Sequence, residues 1–205
     1  MIYLLLAILG SGVIPVIFRA FEGWRVNLFW AIPINYLTCV VIGKVLAGSS
    51  FTLVGLLSQP WLGFAAIQGL LLAVNFFLLA HTAQRAGVAI AALASRLSVA
   101  IPSVLAFVLY RDSLTPVKLA GLLAALVALY LCTAPEKNSG KLSAKLFQLL
   151  PLLVFVTFGC YFTILKYLQT YYLDQVTYHG YVMLGFVFAL LSSLAIGLGK
   201  GVIVV

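Results

Sequence analysis

Apolar runs of about twenty residues are the feature that most constrains this chain, because that is the length that crosses the hydrocarbon core of a bilayer. Only 8% of the 205 residues are charged, whereas soluble domains carry roughly 25%. Runs such as LLLAVNFFLLA do not alternate polar and apolar residues as β-barrel strands do. The sequence therefore predicts an all-α polytopic membrane protein with about seven transmembrane helices, at approximately 2–18, 27–47, 59–81, 87–109, 115–134, 147–168 and 176–198.

The net charge of +8 is explained by Lys and Arg residues at the ends of the apolar runs, where they anchor and orient helices. We therefore expect the lipid bilayer as a partner and no nucleic acid, with a multi-pass location in the cell (plasma or inner) membrane. The three cysteines fit neither a disulfide framework nor a zinc site. Walker, HExxH and GxSxG motifs are absent from the sequence, so we expect no enzyme, cofactor or metal.

The polar stretch APEKNSGKLSAK divides the chain into two parts. We predict a first five-helix repeat at 1–134, a linker at 135–146 and a partial second repeat at 147–205. A shift of 147 positions places LLLAILGSGVIPVIFR over LLVFVTFGCYFTILK, and both segments end in a basic residue. Because five is odd, the second repeat would enter the membrane from the opposite side, as in the inverted repeats of secondary transporters. It would hold two of its five helices, and a homodimer would cover the polar faces left open.

Arg96, in the stretch ASRLSVAIPS, lies about nine residues into the fourth predicted helix, roughly 13 Å deep at 1.5 Å per residue. Its guanidinium stays charged, and a lone Arg near a helix centre costs about 2.5–3.5 kcal/mol to insert. A structural arginine would cap helix carbonyls or pair with a loop carboxylate. The functional alternative, which we favour, is a fixed positive charge that lines a cavity and binds solute, with Ser95 and Ser98 as candidate neighbours.

Four residues of the third predicted helix are spaced by seven, so they drift only about 20° per step around it: Trp61, Gln68, Asn75 and Thr82. Gln68 and Asn75 are candidate substrate-binding residues, although hydrogen bonds to a neighbouring helix are an equal alternative. Asn35 in the second helix leaves the same two alternatives open.

Pro102 predicts a kink in the fourth helix, because a proline frees a carbonyl one turn earlier and bends the axis. Such a carbonyl can serve a cavity, and membrane helices also tolerate proline for packing alone. Both interpretations stay open.

The four acidic residues all lie at or near predicted helix ends: Glu22, Asp112, Glu136 and Asp174. A carrier that exchanges protons for cationic drugs normally needs a carboxylate in the middle of a span. A buried cation without such a carboxylate suits an anionic or zwitterionic solute instead.

Residues 83–131 resemble the fourth-and-fifth-helix signature of the drug/metabolite transporter superfamily, EamA-like branch. The matching features are small residues at 87–94, Pro102, an acid before a leucine (Asp112 with Leu114), and Gly121. The acid is commonly Glu in the family, so Asp112 departs from the pattern. Residues 16–43 resemble the first two helices of an uncharacterised subgroup, in which a [KR]-x-S context is usual in the fourth helix, as at 96–98.

This resemblance implies ten helices in two inverted five-helix units, and secondary transport, often export, of small metabolites through a central cavity. The chain covers about seven of those ten helices. The expected function is therefore a secondary transporter, an exporter, of a small organic metabolite that is anionic or zwitterionic. The alternative is a non-transporting membrane subunit or a truncated remnant of such a carrier.

Overall fold

The computed structural model describes residues 2–47, 55, 58–110, 116–132 and 141–201. Its regular structure over these residues is helical, without a strand. In chain order the helices are α1 (Ile2–Gly23), α2 (Leu28–Ala47), α3 (Leu62–Arg85), α4 (Val88–Leu97), α5 (Ala100–Tyr110), α6 (Pro116–Cys132), α7 (Lys141–Tyr171) and α8 (Gln175–Gly201).

Among the described residues, five segments are long and apolar enough to cross a membrane. They are Leu28–Val45, Leu62–Arg85, Val88–Ala106, Leu149–Tyr171 and Thr177–Gly199. The all-helical class and the multi-pass membrane character are thereby confirmed. The total of seven spans and the inverted-repeat layout stay predictions.

Helix α7 begins earlier than the sequence predicts, at Lys141 instead of 147. Residues 141–146, KLSAKL, are mostly good helix formers, so the helix extends back into the predicted linker. The rest of that linker, 135–140, lies outside the described residues, as do Asp112 and Leu114. The division into 1–134, 135–146 and 147–205 stays a prediction.

The fourth predicted helix is interrupted at Ser98 and Val99, which separate α4 from α5. The Ser98 hydroxyl donates to the Ser95 carbonyl at 2.6 Å, and the Ile101 N–H donates to the Ser98 carbonyl at 3.1 Å. Pro102, in the first turn of α5, has no N–H to offer that carbonyl. The chain therefore closes a tighter, three-residue turn at this point.

The chain divides into two compact units. The first unit holds Met1–Val26 and Phe77–Cys160, and the second holds Asn27–Phe76 and Tyr161–Val205. In the first unit, α4 packs against α1 and α6; in the second, α2 packs against α8.

The second unit is organised around Trp61, just before α3, whose ring meets that of Tyr181 edge-on with centroids 5.4 Å apart. Further along α3, the backbone of Gly69 lies directly against α8. A Cβ on Gly69 would stand 2.8 Å from both the Ala189 nitrogen and the Gly185 carbonyl oxygen. Small residues allow helix backbones to approach this closely in membranes.

Candidate functional site

Arg96 lies near the end of α4, in the first unit, with an exposed side chain. Its Nη2 donates a hydrogen bond to the hydroxyl of Ser11 on α1. Among the described residues the recorded ion pair is Arg19 with Glu22, at the end of α1. In the part of the chain that the structure describes, the partner of Arg96 is thus a neutral hydroxyl. A purely structural arginine is expected to bond to helix carbonyls or to a loop carboxylate, and neither contact is seen among these residues.

The two serines expected beside Arg96 use their hydroxyl protons inside the helix. Ser95 donates to the Ala92 carbonyl at 3.0 Å, and the fully buried Ser98 donates to the Ser95 carbonyl. These bonds support the interruption between α4 and α5. The hydroxyls keep lone pairs with which to accept, but an anion needs donors, so neither serine donates to an anion in this arrangement.

The stripe on α3 is buried along its whole length: Trp61, Gln68, Asn75 and Thr82 are each at most 3% exposed. The Gln68 Nε2 donates to the Tyr161 carbonyl of α7 at 3.4 Å. The Thr82 hydroxyl donates to the Leu78 carbonyl of its own helix at 2.7 Å. One half of the Gln68 amide therefore serves interhelical bonding.

Other buried polar atoms of the second unit have no hydrogen-bond partner among the described residues: Gln68 Oε1, both amide atoms of Asn75, and the Tyr181 hydroxyl. A buried polar group left unpaired costs about 1–3 kcal/mol. Native proteins satisfy such groups with protein, water or ligand. A water molecule or a polar ligand would therefore gain hydrogen bonds at these atoms.

Tyr36 of α2 contacts the same face of α3, since its hydroxyl donates to the Leu72 carbonyl at 2.9 Å. Its ring packs on Phe76 and Phe186, with centroids 5.4 and 6.3 Å away. Asn35, the predicted candidate, is exposed. The structure thus brings Tyr36, one position further along α2, to the stripe.

Tyr36 and Tyr181 were not among the candidates from the sequence. Tyrosines near the ends of apolar runs fit the aromatic belt of membrane proteins, and the densest such stretch, 167–181, includes Tyr181. What distinguishes Tyr181 from the other tyrosines of this stretch is its contact with the ring of Trp61, which a single sequence does not show.

Asn75→Leu is expected to stabilise the ligand-free protein by about 1–3 kcal/mol, because it removes two unpaired buried polar atoms and keeps the branched shape of the side chain. Thermal unfolding in detergent measures the change. Thr82→Val is the matched control on the same stripe, since its hydroxyl already has a partner. A lower melting temperature for Asn75→Leu than for the control would show that the amide is satisfied in the ligand-free protein.

Comparison with protein-family models, with curated proteins and with solved structures found no match. Function is therefore inferred from two features that the structure describes. They are the exposed guanidinium of Arg96 in the first unit and, in the second, the buried amide and phenol atoms that have no partner among the described residues.

Proposed function

We propose that the protein is a secondary transporter of the cell membrane that exports a small organic metabolite, anionic or zwitterionic. The observation that carries this proposal is the position and bonding of Arg96. It lies in a membrane-spanning segment, Val88–Ala106, and its exposed guanidinium is bonded to the neutral Ser11. A permanent charge at that depth is costly unless water or an anion compensates it.

The chemistry of Arg96 favours a negative group on the solute. A guanidinium has five N–H donors in a flat fork that matches a carboxylate or phosphate with two bonds. Ser11 accepts one of these donors, so a solute can bind the others without displacing it. A zwitterionic solute meets the same requirement through its acidic group.

Secondary transport is favoured over ATP-driven transport because the sequence has no Walker loop. The resemblance to the EamA-like branch supports export and an inverted-repeat cavity, and a homodimer is part of the proposal.

The test is solute release from proteoliposomes. Vesicles containing the purified protein are loaded with a cell metabolite extract, and mass spectrometry identifies what appears outside. We expect one or a few anionic or zwitterionic solutes to leave faster than from protein-free vesicles. Equal release from both kinds of vesicle, for every solute in the extract, would instead favour the non-transporting membrane subunit.

A further inference from the structure

An open cleft of about 460 Å³ lies in the second unit where α7 ends and α8 begins. It is lined by Gln169, Leu173, Asp174, Tyr178 and His179. One membrane-spanning segment ends at Tyr171 and the next begins at Thr177. The cleft therefore opens at the membrane surface and not in the middle of a span.

Polar groups continue from this cleft into the core of the second unit. Leu173, in the wall of the cleft, packs against the buried cluster that contains Ala65 and Tyr181. Tyr181 follows Tyr178 of the cleft wall by three residues on α8, so the two side chains lie on one face of that helix. Gln68 follows Ala65 by three residues on α3 in the same way. The open cleft thus leads through this cluster toward the phenol of Tyr181 and the amide of Gln68.

The unpaired atoms at the inner end define the chemistry of a ligand. Gln68 Oε1 can only accept a hydrogen bond, whereas the Tyr181 hydroxyl can donate and accept; both are buried without a partner among the described residues. Neither carries a charge, and the carboxylate of the cleft, Asp174, is exposed at its mouth. A cation bound at the inner end would lack a counter-charge, and an anion would face the Gln68 oxygen.

We propose that the cleft is the mouth of a binding site in which Gln68 and Tyr181 hold an uncharged group that both donates and accepts, a carboxamide or a hydroxyl of the transported solute. This inference rests on the proposed function for the solute itself. Water has the same hydrogen-bonding chemistry, so the experiment has to separate a bound solute group from trapped water.

Trp61 is a built-in reporter, because it is 2% exposed and its ring touches that of Tyr181. The chain has three tryptophans, so Trp24→Phe with Trp30→Phe leaves Trp61 as the single indole of the full chain. In lipid nanodiscs, its fluorescence is titrated with acrylamide, a neutral carboxamide that quenches indoles, and with iodide, an anionic quencher. Acetamide, which has the same amide group and does not quench, is the competitor, and acetate is its charged control.

Three variants of this reporter protein are compared. Tyr181→Phe removes the hydroxyl and keeps the ring, and Gln68→Leu removes the amide. Tyr167→Phe is the matched control, because Tyr167 is an exposed tyrosine that packs on Phe64, outside the proposed site. Thermal unfolding of each variant shows whether it is folded, and Tyr181→Phe keeps the test decisive if Gln68→Leu does not fold.

We expect acrylamide to quench Trp61 with saturation, iodide to quench it little, and acetamide but not acetate to protect it. Loss of one hydrogen bond should weaken acetamide protection between about twofold and tenfold in Tyr181→Phe and Gln68→Leu, with no change in Tyr167→Phe. Absence of quenching, quenching that acetamide does not prevent, or unchanged protection in Tyr181→Phe would each overturn the proposal. Quenching measures binding, whereas solute release measures transport. Failure of the quenching experiment alone would therefore overturn the binding site, and failure of solute release alone would overturn the proposed function.

Discussion

Arg96→Leu is expected to abolish solute release from proteoliposomes while leaving the protein at least as stable as the wild type. Leucine removes a charge that costs about 2.5–3.5 kcal/mol near the centre of a span. Among the described residues, the hydrogen-bond partner of that charge is the neutral hydroxyl of Ser11. Release of the identified solute and the midpoint of thermal unfolding are measured on the same preparation.

Arg96→Lys should release solute more slowly than the wild type but faster than Arg96→Leu. An ammonium keeps the positive charge, but it is a point charge and cannot reproduce the two-bond fork of a guanidinium. Arg85→Leu is the matched control, since Arg85 is an exposed arginine in the last turn of α3. We expect release by that variant to remain close to that of the wild type.

A structural role for Arg96 would give a different pattern. If the bond to Ser11 ties α4 to α1, then Ser11→Ala and Arg96→Leu should both lower the unfolding midpoint, and the double variant should lower it no further. Normal release by Arg96→Leu would show that the solute binds elsewhere.

Gly69→Ala is expected to destabilise the protein by about 1–3 kcal/mol or more, as overpacking does. The added methyl would meet the Ala189 nitrogen and the Gly185 oxygen at 2.8 Å. These are backbone atoms of α8, which a rotamer change cannot move. Thermal unfolding in detergent measures the loss.

Gly63→Ala is the control on the same helix, because nothing lies within 4 Å of a Cβ at Gly63. Alanine in a helix is favoured over glycine by roughly 0.5–1 kcal/mol, so this variant should be slightly more stable than the wild type. Equal effects of the two substitutions would contradict the close approach of α3 and α8.

Much of the helical structure was predictable, because runs of about twenty apolar residues have few alternatives in lipid. The sequence predicts a kink from Pro102 in this helix, but it does not predict that the helix is interrupted at Ser98 and Val99. A serine that bonds to a carbonyl three residues earlier and a proline four residues later are each tolerated in a continuous helix. Here the two act together, because the Ser98 carbonyl turns to the Ile101 N–H.

Candidate site residues were predictable where their placement follows from the spacing along one helix. They were not predictable where it follows from packing between two helices. The spacing by seven placed Gln68 and Asn75 on one face of α3, and both are buried there. Which face of α2 turns inward depends on packing, which a single sequence does not determine. The sequence therefore predicts a role for Asn35, whereas Tyr36 makes the contact with α3. The role of Tyr181 depends in the same way on Trp61 of another segment.

The interruption between α4 and α5 also affects how the chain enters the membrane during synthesis. At 1.5 Å per residue, the 10 residues of α4 and the 11 of α5 each reach only about half of a 30 Å hydrocarbon core. Neither piece is long enough to insert by itself, so the insertion machinery must accept both together, with Arg96 near the middle. We therefore expect α1, whose Ser11 bonds to Arg96, to support the insertion of this segment.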